Sequence, residues 1–293
     1  MSGAAPDGLG ARAFVALQYL LPQHWLSQLA YRLTRSRRRW LKNALIRAFV
    51  ARFHPQLADA LQPDALQYAS FNEFFTRALR DNVRPADPDP AALISPVDGT
   101  VSQLGRLDAS WLVQAKGHAY TLESLLAEDA PWPELFRGGA FATLYLAPRD
   151  YHRVHMPLAG TLRAAWYVPG QLFSVNGVTA AAVPGLFARN ERVICMFGAG
   201  PLSFALVLVG ALFVGSMSTI WHGEVTPRRP RRRCDLPLDG ARGPLALARG
   251  AEVARFNMGS TVIVLLPPGS GSWLTGLVPG SPVRLGQALA TLA

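Results

Sequence analysis

The sequence predicts an α+β fold, with amphipathic helices at the N-terminus followed by a mainly β core of sandwich or barrel-like form. Apolar residues recur at helical spacing as far as Phe53, which predicts helices that each bury one face. From Ile94 onward the pattern changes to short β-forming runs separated by glycine and proline. We expect residues 1–65 to form the helical part and the core to begin at residue 66.

A repeated turn motif supports the β core. Residues 95–101 read SPVDGTV, residues 156–162 read MPLAGTL, and residues 283–289 read VRLGQAL, a related hairpin edge. Repeated P-x-x-G-T units beside β-forming residues are typical of compact sandwiches with tight turns. Biotinyl and lipoyl carrier domains use similar units. No lysine stands at a hairpin tip in this chain, so we do not expect a carrier role.

The composition indicates an anionic partner. Half of the 293 residues are hydrophobic, the mean hydropathy is +0.16, and the net charge of +10 is carried almost entirely by arginine. This balance suits anionic lipid or nucleic acid. Cys195 and Cys234 are too few for a disulfide framework or a zinc site and predict a reducing compartment. The N-terminus does not resemble a signal peptide, so we expect the protein on the cytoplasmic side of the membrane.

The N-terminal helices carry the lipid prediction. Pro22 interrupts the apolar stretch 11–33 and fits the start of a second helix. In residues 35–53, arginine and lysine flank an apolar stripe made of Trp40, Leu41, Ala44, Leu45 and Phe49. This pattern is typical of a helix lying in a lipid interface, and a basic helix docked on the protein's own core is the alternative. Nucleic acid fits less well as a partner, because contacts with a phosphate backbone are electrostatic and would not bury the apolar stripe.

Three further stretches have structural interpretations. Residues 204–221 are long enough for a membrane-spanning helix, but their valine, glycine, serine and threonine content favours two buried strands. The arginine-rich loop 227–233 fits either a solvated linker or a contact with lipid headgroups. Ser70 and Glu73 have capping-box spacing, which predicts the start of a short helix, FFTRALR (74–80).

The stretch RFNMGSTVIVLLPPG, residues 255–269, places a Gly-Ser-Thr turn before a strongly β-forming run. A plain β-turn is one interpretation. The other is a self-cleavage site, in which the Ser260 hydroxyl adds to the Gly259 carbonyl and the amide becomes an ester. Elimination then opens the chain, and hydrolysis of the new N-terminal residue, with water taken up and ammonia lost, leaves a pyruvoyl group, a covalent cofactor derived from Ser260.

A serine that attacks its own backbone needs a base, and the base needs a residue that orients it. His152 and His155 stand together directly after a predicted strand, and Asp98 lies in the first P-x-x-G turn. Each residue also has a structural interpretation, as a core histidine or a turn aspartate. A His-x-x-His metal site is a further alternative, but on a strand these side chains point to opposite faces. We therefore expect no metal.

Five motifs together resemble the bacterial phosphatidylserine decarboxylases. The resemblance runs from about Phe71 to the end of the chain, and the order and spacing of the motifs fit the family. The motifs are SPVDGTVSQLG (95–105), YLAPRDYHRVHMPLAG (145–160), VPGQLFSVN (168–176), LFARNERV (186–193) and FNMGSTVI (256–263).

The resemblance implies a pyruvoyl-dependent carboxy-lyase that is made as a self-cleaving zymogen. It implies an Asp98, His155 and Ser260 triad and a cut between Gly259 and Ser260. The large chain would then include core residues 66–259, and the small chain, 260–293, would complete the core. Met258 stands where the family has leucine, an apolar exchange of similar volume that should not affect the reactive bond.

The resemblance also implies the reaction and the partners. The pyruvoyl group forms a Schiff base with phosphatidylserine, carbon dioxide leaves, and phosphatidylethanolamine is released. The implied partners are an anionic membrane surface, where the protein is peripheral on the cytoplasmic face of the cell membrane, and a second copy in a homodimer. We expect His155 to be the base for self-cleavage and His152 to position or protonate the substrate. Near the substrate we also place Phe173, Ser174 and Asn176, while Arg149 and Asp150 shape the loop.

Two other classes of function stay open. A serine hydrolase would use Asp98, His155 and Ser260 as an ordinary triad and leave the chain whole. No Gly-x-Ser-x-Gly motif surrounds Ser260, which counts against that class. A non-catalytic membrane-binding protein with a β-sandwich head would neither cut itself nor react.

Overall fold

The computed structural model describes residues 8–212, 216–227, 231–238, 244–257 and 260–293. The α-helices within these ranges are α1 Leu9–Leu20, α2 Gln23–Thr34, α3 Arg39–Phe53, α4 Phe71–Phe75, α5 Leu122–Leu126, α6 Trp132–Phe136, α7 Gly177–Ala182 and α8 Leu186–Arg189. The strands are β1 Ala92–Ile94, β2 Gly99–Arg106, β3 Trp111–Val113, β4 Ala119–Thr121, β5 Ala140–Leu146, β6 Arg153–His155, β7 Gly160–Val168, β8 Arg192–Ala199, β9 Leu202–Val209, β10 Met217–Thr219, β11 Gly223–Glu224, β12 Cys234–Asp235, β13 Ala246–Leu247, β14 Glu252–Phe256, β15 Ser260–Leu266, β16 Gly271–Trp273, β17 Pro282–Val283 and β18 Ala288–Leu292.

The largest sheet runs in the order β12-β7-β8-β9-β15-β5-β2-β17, with β13 also paired to β7. Its pairings are antiparallel. In the described residues the two ends of this order, β12 and β17, do not pair with each other, so the sheet is open. The predicted α+β class, with N-terminal helices and a mainly β core, is confirmed, and the core is layered rather than closed.

Strand β15 lies in the middle of this sheet, between β5 and β9, and is buried along its whole length. Its side chains alternate between two hydrophobic clusters, as a strand requires. Val262 and Val264 pack with Val154 and Phe256 of the smaller sheet β11-β10-β14-β6. Ile263 and Leu265 face the opposite side, in the cluster that contains the buried residues of α5, α7 and α8.

The glycines of the P-x-x-G-T units lie where neighbouring strands approach closely. A Cβ atom on Gly99 would lie 2.4 Å from the carbonyl oxygen of Tyr145, and one on Gly160 would lie 3.1 Å from that of Gly198. These two glycines are the first residues of β2 and β7. The motif therefore marks the points where a turn enters the large sheet, as the sequence predicts.

The described residues of the apolar stretch 204–221 do not form a helix. Its first residues belong to β9 and its last to β10, so the prediction of two buried strands is confirmed. None of the helices in the described ranges has the length and apolar character needed to span a bilayer.

Pro22 separates α1 from α2, as predicted, and its carbonyl oxygen accepts the first hydrogen bond of α2, from Leu26 N–H at 3.0 Å. The predicted cap is also present, because the Ser70 hydroxyl accepts a hydrogen bond from Glu73 N–H at 3.1 Å. The capped helix α4 is Phe71–Phe75, so it begins before the predicted stretch 74–80 and ends five residues before that stretch does.

Helix α3 does not turn its whole apolar stripe towards lipid, contrary to the expectation from the sequence. It packs on α4 through Ile46 and Phe49, which lie in one cluster with Phe71, Phe74 and Phe75. Lys42 is buried on the same side and donates a hydrogen bond to the Leu66 carbonyl at 2.7 Å. Trp40, by contrast, is 68% exposed. Phe49 therefore belongs to the protein's own core, and only part of the predicted stripe is available to lipid.

Candidate active site

Ser260 is the first residue of β15 and is fully buried. By the alternation of the strand it shares a face with Val262 and Val264. Its hydroxyl has no hydrogen-bond partner among the described residues. A buried polar group without a partner is costly and therefore calls for an explanation. Met258 and Gly259, which complete the predicted cleavage site, lie outside the described residues.

Ser260 lines a cavity of about 220 Å³, the Ser260 cavity. The walls are apolar or uncharged, and α3 and α4 supply three aromatic rings. The other lining residues are Phe49, Phe53, Phe75, Tyr145, Leu146, Pro148, Ser174, Val175, Ala211 and Leu212. No charged side chain stands among these described wall residues. A charge that forms in this space is therefore poorly solvated, and neutral species are favoured.

His152 lies behind one wall of the Ser260 cavity. Its ring centroid is 4.1 Å from that of Phe75, and the imidazole is fully buried. Nδ1 lies 2.8 Å from the Asp150 carbonyl oxygen, which can only accept, so Nδ1 carries the proton. The pKa of His152 is lowered to about 3, chiefly by burial and in smaller part by the charge of Arg77, against the opposing effect of the hydrogen bond to Asp150. The ring is thus neutral at pH 7, with Nε2 as a lone-pair acceptor that has no partner among the described residues.

His155, at the end of β6, has protein partners at both ring nitrogens. Nδ1 donates to the Gly250 carbonyl at 2.7 Å, so Nε2 is the acceptor for the Tyr151 hydroxyl at 3.0 Å. Burial lowers the pKa of His155 and outweighs the opposing charges of Glu252 and Asp98. The imidazole lines a cavity of about 270 Å³ that is separate from the Ser260 cavity.

Asp98 is held by partners other than histidine. Arg84 binds both carboxylate oxygens, from Nε at 3.0 Å and from Nη2 at 2.8 Å, and Leu285 N–H donates to Oδ1 at 2.8 Å. The bond to Asp98 raises the pKa of Arg84, which stays charged. Within the described ranges no hydrogen bond joins Asp98 to His155 or His155 to Ser260. Tyr151 and Arg84 line both the Asp98 cavity, of about 370 Å³, and the His155 cavity.

The sequence places three residues of the FSVN stretch near the substrate, and the structure places them in three different surroundings. Ser174 lines the Ser260 cavity. Phe173 is buried and packs edge-on against Tyr19 at 4.8 Å. The Asn176 amide oxygen accepts the Thr179 N–H at 3.0 Å and so caps α7. Ser174 is therefore the residue of the three that the structure brings to the cavity of Ser260.

The remaining candidate positions have local roles. The Asp150 carboxylate accepts the Ala147 N–H at 2.7 Å and closes the loop before His152, as predicted for a loop-shaping residue. Among the described residues, no three side chains of the metal-binding types gather closely enough to hold a metal ion. Part of the arginine-rich loop, residues 228–230, lies outside the described residues. Arg231 donates to the Gly170 carbonyl at 2.9 Å, and Arg233 pairs with Glu128.

Sequence reasoning missed the immediate partners of the predicted residues. Tyr151 lies four residues before His155, inside a motif that the sequence analysis identified. That position could have pointed to Tyr151 as a partner of His155. Arg84 lies in a proline-rich break, fourteen residues before Asp98, with no pattern linking the two. Phe49 and Phe53 line the Ser260 cavity from a helix that the sequence assigns to lipid.

The comparisons with known proteins agree with the motifs. The family model described as "Phosphatidylserine decarboxylase" matches residues 71–291, and one described as "PSD" matches residues 13–54. A phosphatidylserine decarboxylase proenzyme of Pseudomonas fluorescens is 51% identical over 278 residues, which are 95% of this chain and 96% of that protein. The proenzyme of Bordetella pertussis is 51% identical over 277 residues, covering 94% and 93% of the two chains. The chain therefore belongs to the phosphatidylserine decarboxylase family.

Proposed function

We propose that this chain is a proenzyme that cuts itself between Gly259 and Ser260 and then converts phosphatidylserine into phosphatidylethanolamine and carbon dioxide. The observation that carries the proposal is the Ser260 hydroxyl, which is buried at the start of a central strand beside an apolar cavity and has no hydrogen-bond partner in the part of the chain that the structure describes. A structural serine would be expected to satisfy its hydroxyl. A reactive serine is kept free to attack.

The residues around Ser260 fit a pyruvoyl group. The position is buried, and the loss of the hydroxyl breaks no hydrogen bond to any residue that the structure describes. The uncharged walls also protect a ketone from water and from competing nucleophiles. Once formed, the group supplies an electrophilic carbonyl for the substrate amine and an electron sink for the bond to the departing carboxylate.

Self-cleavage requires a base for the Ser260 hydroxyl, and His155 is the proposed base. Its lowered pKa keeps the imidazole neutral at pH 7, which is the state a base needs. Nε2 is the nitrogen with a lone pair, and at present it accepts from Tyr151. His155 and Ser260 line separate cavities, so Tyr151 must release Nε2 and the imidazole must come within hydrogen-bond reach of Ser260 before the proton is transferred. The charge of Asp98 stabilises the resulting imidazolium without a direct hydrogen bond.

His152 is the proposed carrier of the proton in decarboxylation. Its neutral ring offers an Nε2 that has no partner among the described residues, next to Phe75, a wall of the Ser260 cavity. A substrate ammonium must lose a proton before its nitrogen can react, and Nε2 holds that proton only transiently, because the burial that lowers its pKa disfavours the imidazolium. The same nitrogen then returns it to carbon after carbon dioxide has left. The uncharged cavity favours the loss of carbon dioxide, because the charged carboxylate of the substrate leaves as a neutral molecule.

The direct test is to incubate the purified protein with vesicles that contain phosphatidylserine and to separate the lipids afterwards. We expect phosphatidylethanolamine and carbon dioxide in equal amounts. Intact mass under denaturing conditions is expected to show two chains, the smaller with a blocked N-terminus of pyruvoyl mass. A single uncut chain that reacts with a fluorophosphonate would support a serine hydrolase instead. An uncut chain that binds vesicles and reacts with neither would support a membrane-binding protein.

We also propose that the helices dock on an anionic membrane at its cytoplasmic face. Large apolar side chains of α1, α2 and α3 stay exposed among arginines of the same helices, which suits anionic lipid. The exposed set is Phe14, Leu17, Tyr19, Leu20, Trp25, Leu29, Leu33 and Trp40. A substrate with two acyl chains stays in the bilayer, so the enzyme must reach it there.

Replacing Leu20 and Trp25 together with serine is expected to lower binding to anionic vesicles at least about tenfold, because two exposed apolar anchors are lost. Neither side chain lines the Ser260 cavity, so self-cleavage should continue. Cosedimentation measures the binding, and Trp111→Ser is the matched control. Trp111 is comparably exposed, but it lies on β3 rather than on the helices. Equal losses in the two variants, or none in the double variant, would refute helix docking.

A further inference from the structure

The 171–174 segment, which leads into the Ser260 cavity, is held by side chains. The Leu172 N–H donates to Gln23 Oε1 at 2.7 Å, and the Ser174 N–H donates to Gln18 Oε1 at 2.7 Å. Between them, the Phe173 N–H donates to Asn190 Oδ1 at 3.1 Å. Three consecutive amides of this segment therefore depend on side-chain oxygens, and two of those oxygens belong to the N-terminal helices.

Each glutamine uses both its side-chain oxygen and its side-chain nitrogen in hydrogen bonds within this arrangement. Gln18 is 1% exposed, and its Nε2 lies 3.4 Å from both the Thr179 hydroxyl and the Phe14 carbonyl. Gln23 is also buried, and its Nε2 donates to the Gln18 carbonyl at 2.7 Å. The two residues thus form one buried hydrogen-bonded unit that crosses the break between α1 and α2. Such a unit tolerates little displacement, because each lost partner leaves a buried polar group unsatisfied.

The same turn of α1 faces the proposed membrane. Leu17, Tyr19 and Leu20 are 52%, 51% and 83% exposed, while Gln18 between them points inward to the Ser174 amide. Ser174 and Val175 are wall residues of the Ser260 cavity. Hence one helical turn connects a lipid-facing apolar patch to the wall of the reaction site, through a single side chain.

We propose that Gln18 and Gln23 are positioning residues that tie the docking of α1 and α2 to the shape of the Ser260 cavity. This inference rests on the proposed function. The glutamines touch neither Ser260 nor the proposed substrate, and they act through Ser174 and Leu172. A small displacement of a reaction-site wall can reduce turnover by orders of magnitude. Lipid contact at α1 and turnover at Ser260 are therefore coupled through these hydrogen bonds.

The test compares Gln18→Met and Gln23→Met with the wild type, because methionine keeps the length of the side chain and removes its hydrogen bonds. Gln114→Met is the matched control. Gln114 is also 1% exposed and holds backbone, with Nε2 donating to the Ala180 and Val183 carbonyls at 2.7 Å and Oε1 accepting from Leu186 at 3.0 Å. None of these hydrogen bonds reaches the 171–174 segment. Thermal denaturation and intact mass establish that each variant is folded and cleaved.

Turnover is then measured with a short-chain phosphatidylserine dispersed below its aggregation concentration, and separately with vesicles. We expect Gln18→Met and Gln23→Met to lose at least about tenfold in kcat on both substrates, with the affinity for vesicles within twofold of wild type. Gln114→Met should lose comparable thermal stability and keep kcat within about twofold. If Gln18→Met does not fold, Gln23→Met, which keeps the Ser174 bond, decides alone.

Normal kcat on the dispersed substrate with weakened vesicle binding would overturn the proposal, since the glutamines would then only support the helices. An equal loss of kcat in Gln114→Met would also overturn it, because the effect would follow general destabilisation. A wild-type protein that neither cuts itself nor releases carbon dioxide would remove the proposed function and this inference together. If the wild type is active and either of the first two results is found, the inference fails and the proposed function stands.

Discussion

Ser260→Ala is expected to leave the protein as one uncut chain with no decarboxylase activity. The change removes a single oxygen from a buried position where that oxygen has no hydrogen-bond partner within the described ranges, so the fold should tolerate it well. The same oxygen is the proposed nucleophile and its loss removes the only source of the pyruvoyl group. Intact mass under denaturing conditions separates the two outcomes directly, with two chains for wild type and one for the variant.

Thr261→Val is the matched control for this experiment. Thr261 is the next residue on β15, is fully buried, and also has a hydroxyl without a partner among the described residues. By strand alternation its side chain shares the opposite face with Ile263 and Leu265. We expect this variant to cleave like wild type. Cleavage of Ser260→Ala, or a block in both variants, would contradict a specific role for the Ser260 hydroxyl.

The second large effect is expected from the two histidines, each replaced by asparagine. The asparagine side-chain N–H can take over the Nδ1 bond, to Gly250 for His155 and to Asp150 for His152, while Nε2 is lost. His155→Asn should slow self-cleavage by about 10²-fold to 10⁴-fold, the usual contribution of a general base. His152→Asn should cleave and then lose at least about 10²-fold in decarboxylation.

These rates can be followed by timed denaturing gels of freshly synthesised chain and by carbon dioxide release from the cleaved protein. His118→Asn is the control, since His118 directly precedes β4 and does not line the Ser260 cavity. The lowered pKa of His155 also fixes the sign of the pH dependence. Cleavage should persist as the pH falls below about 6.5, the ordinary pKa of histidine, and decline only at lower pH. A decline that begins above pH 6.5, or interchanged effects of the two variants, would contradict the proposed roles.

The parts of the fold that local chemistry determines could be predicted from the sequence. Pro22 ends one helix and precedes the next because its ring removes a donor, and Ser70 caps α4 through its hydroxyl. The glycines of the P-x-x-G-T units mark close strand approaches. The motif around Ser260 likewise predicts a residue at the start of a buried strand.

Features that depend on distant segments were beyond the sequence. Asp98 was expected to orient an imidazole, but Arg84 offers it a two-pronged, charge-assisted partner from another part of the chain. Helix α3 presents one apolar stripe that suits lipid and protein equally, and the choice is made by Phe71, Phe74 and Phe75 of α4. The periodicity of one helix contains no information about which neighbour will cover it.

The central place of β15 has a consequence for the proteolysed molecule. A cut at the proposed bond leaves a C-terminal piece that begins with β15 and carries β16, β17 and β18, which pair with β18, β2 and β1. β15 itself pairs with both β5 and β9 in the middle of the largest sheet. The fragment therefore cannot dissociate unless the core unfolds, and the two chains are expected to unfold together with a single free energy of unfolding. Once they are denatured, however, the strand must return by diffusion rather than by tether, so renaturation becomes a second-order process.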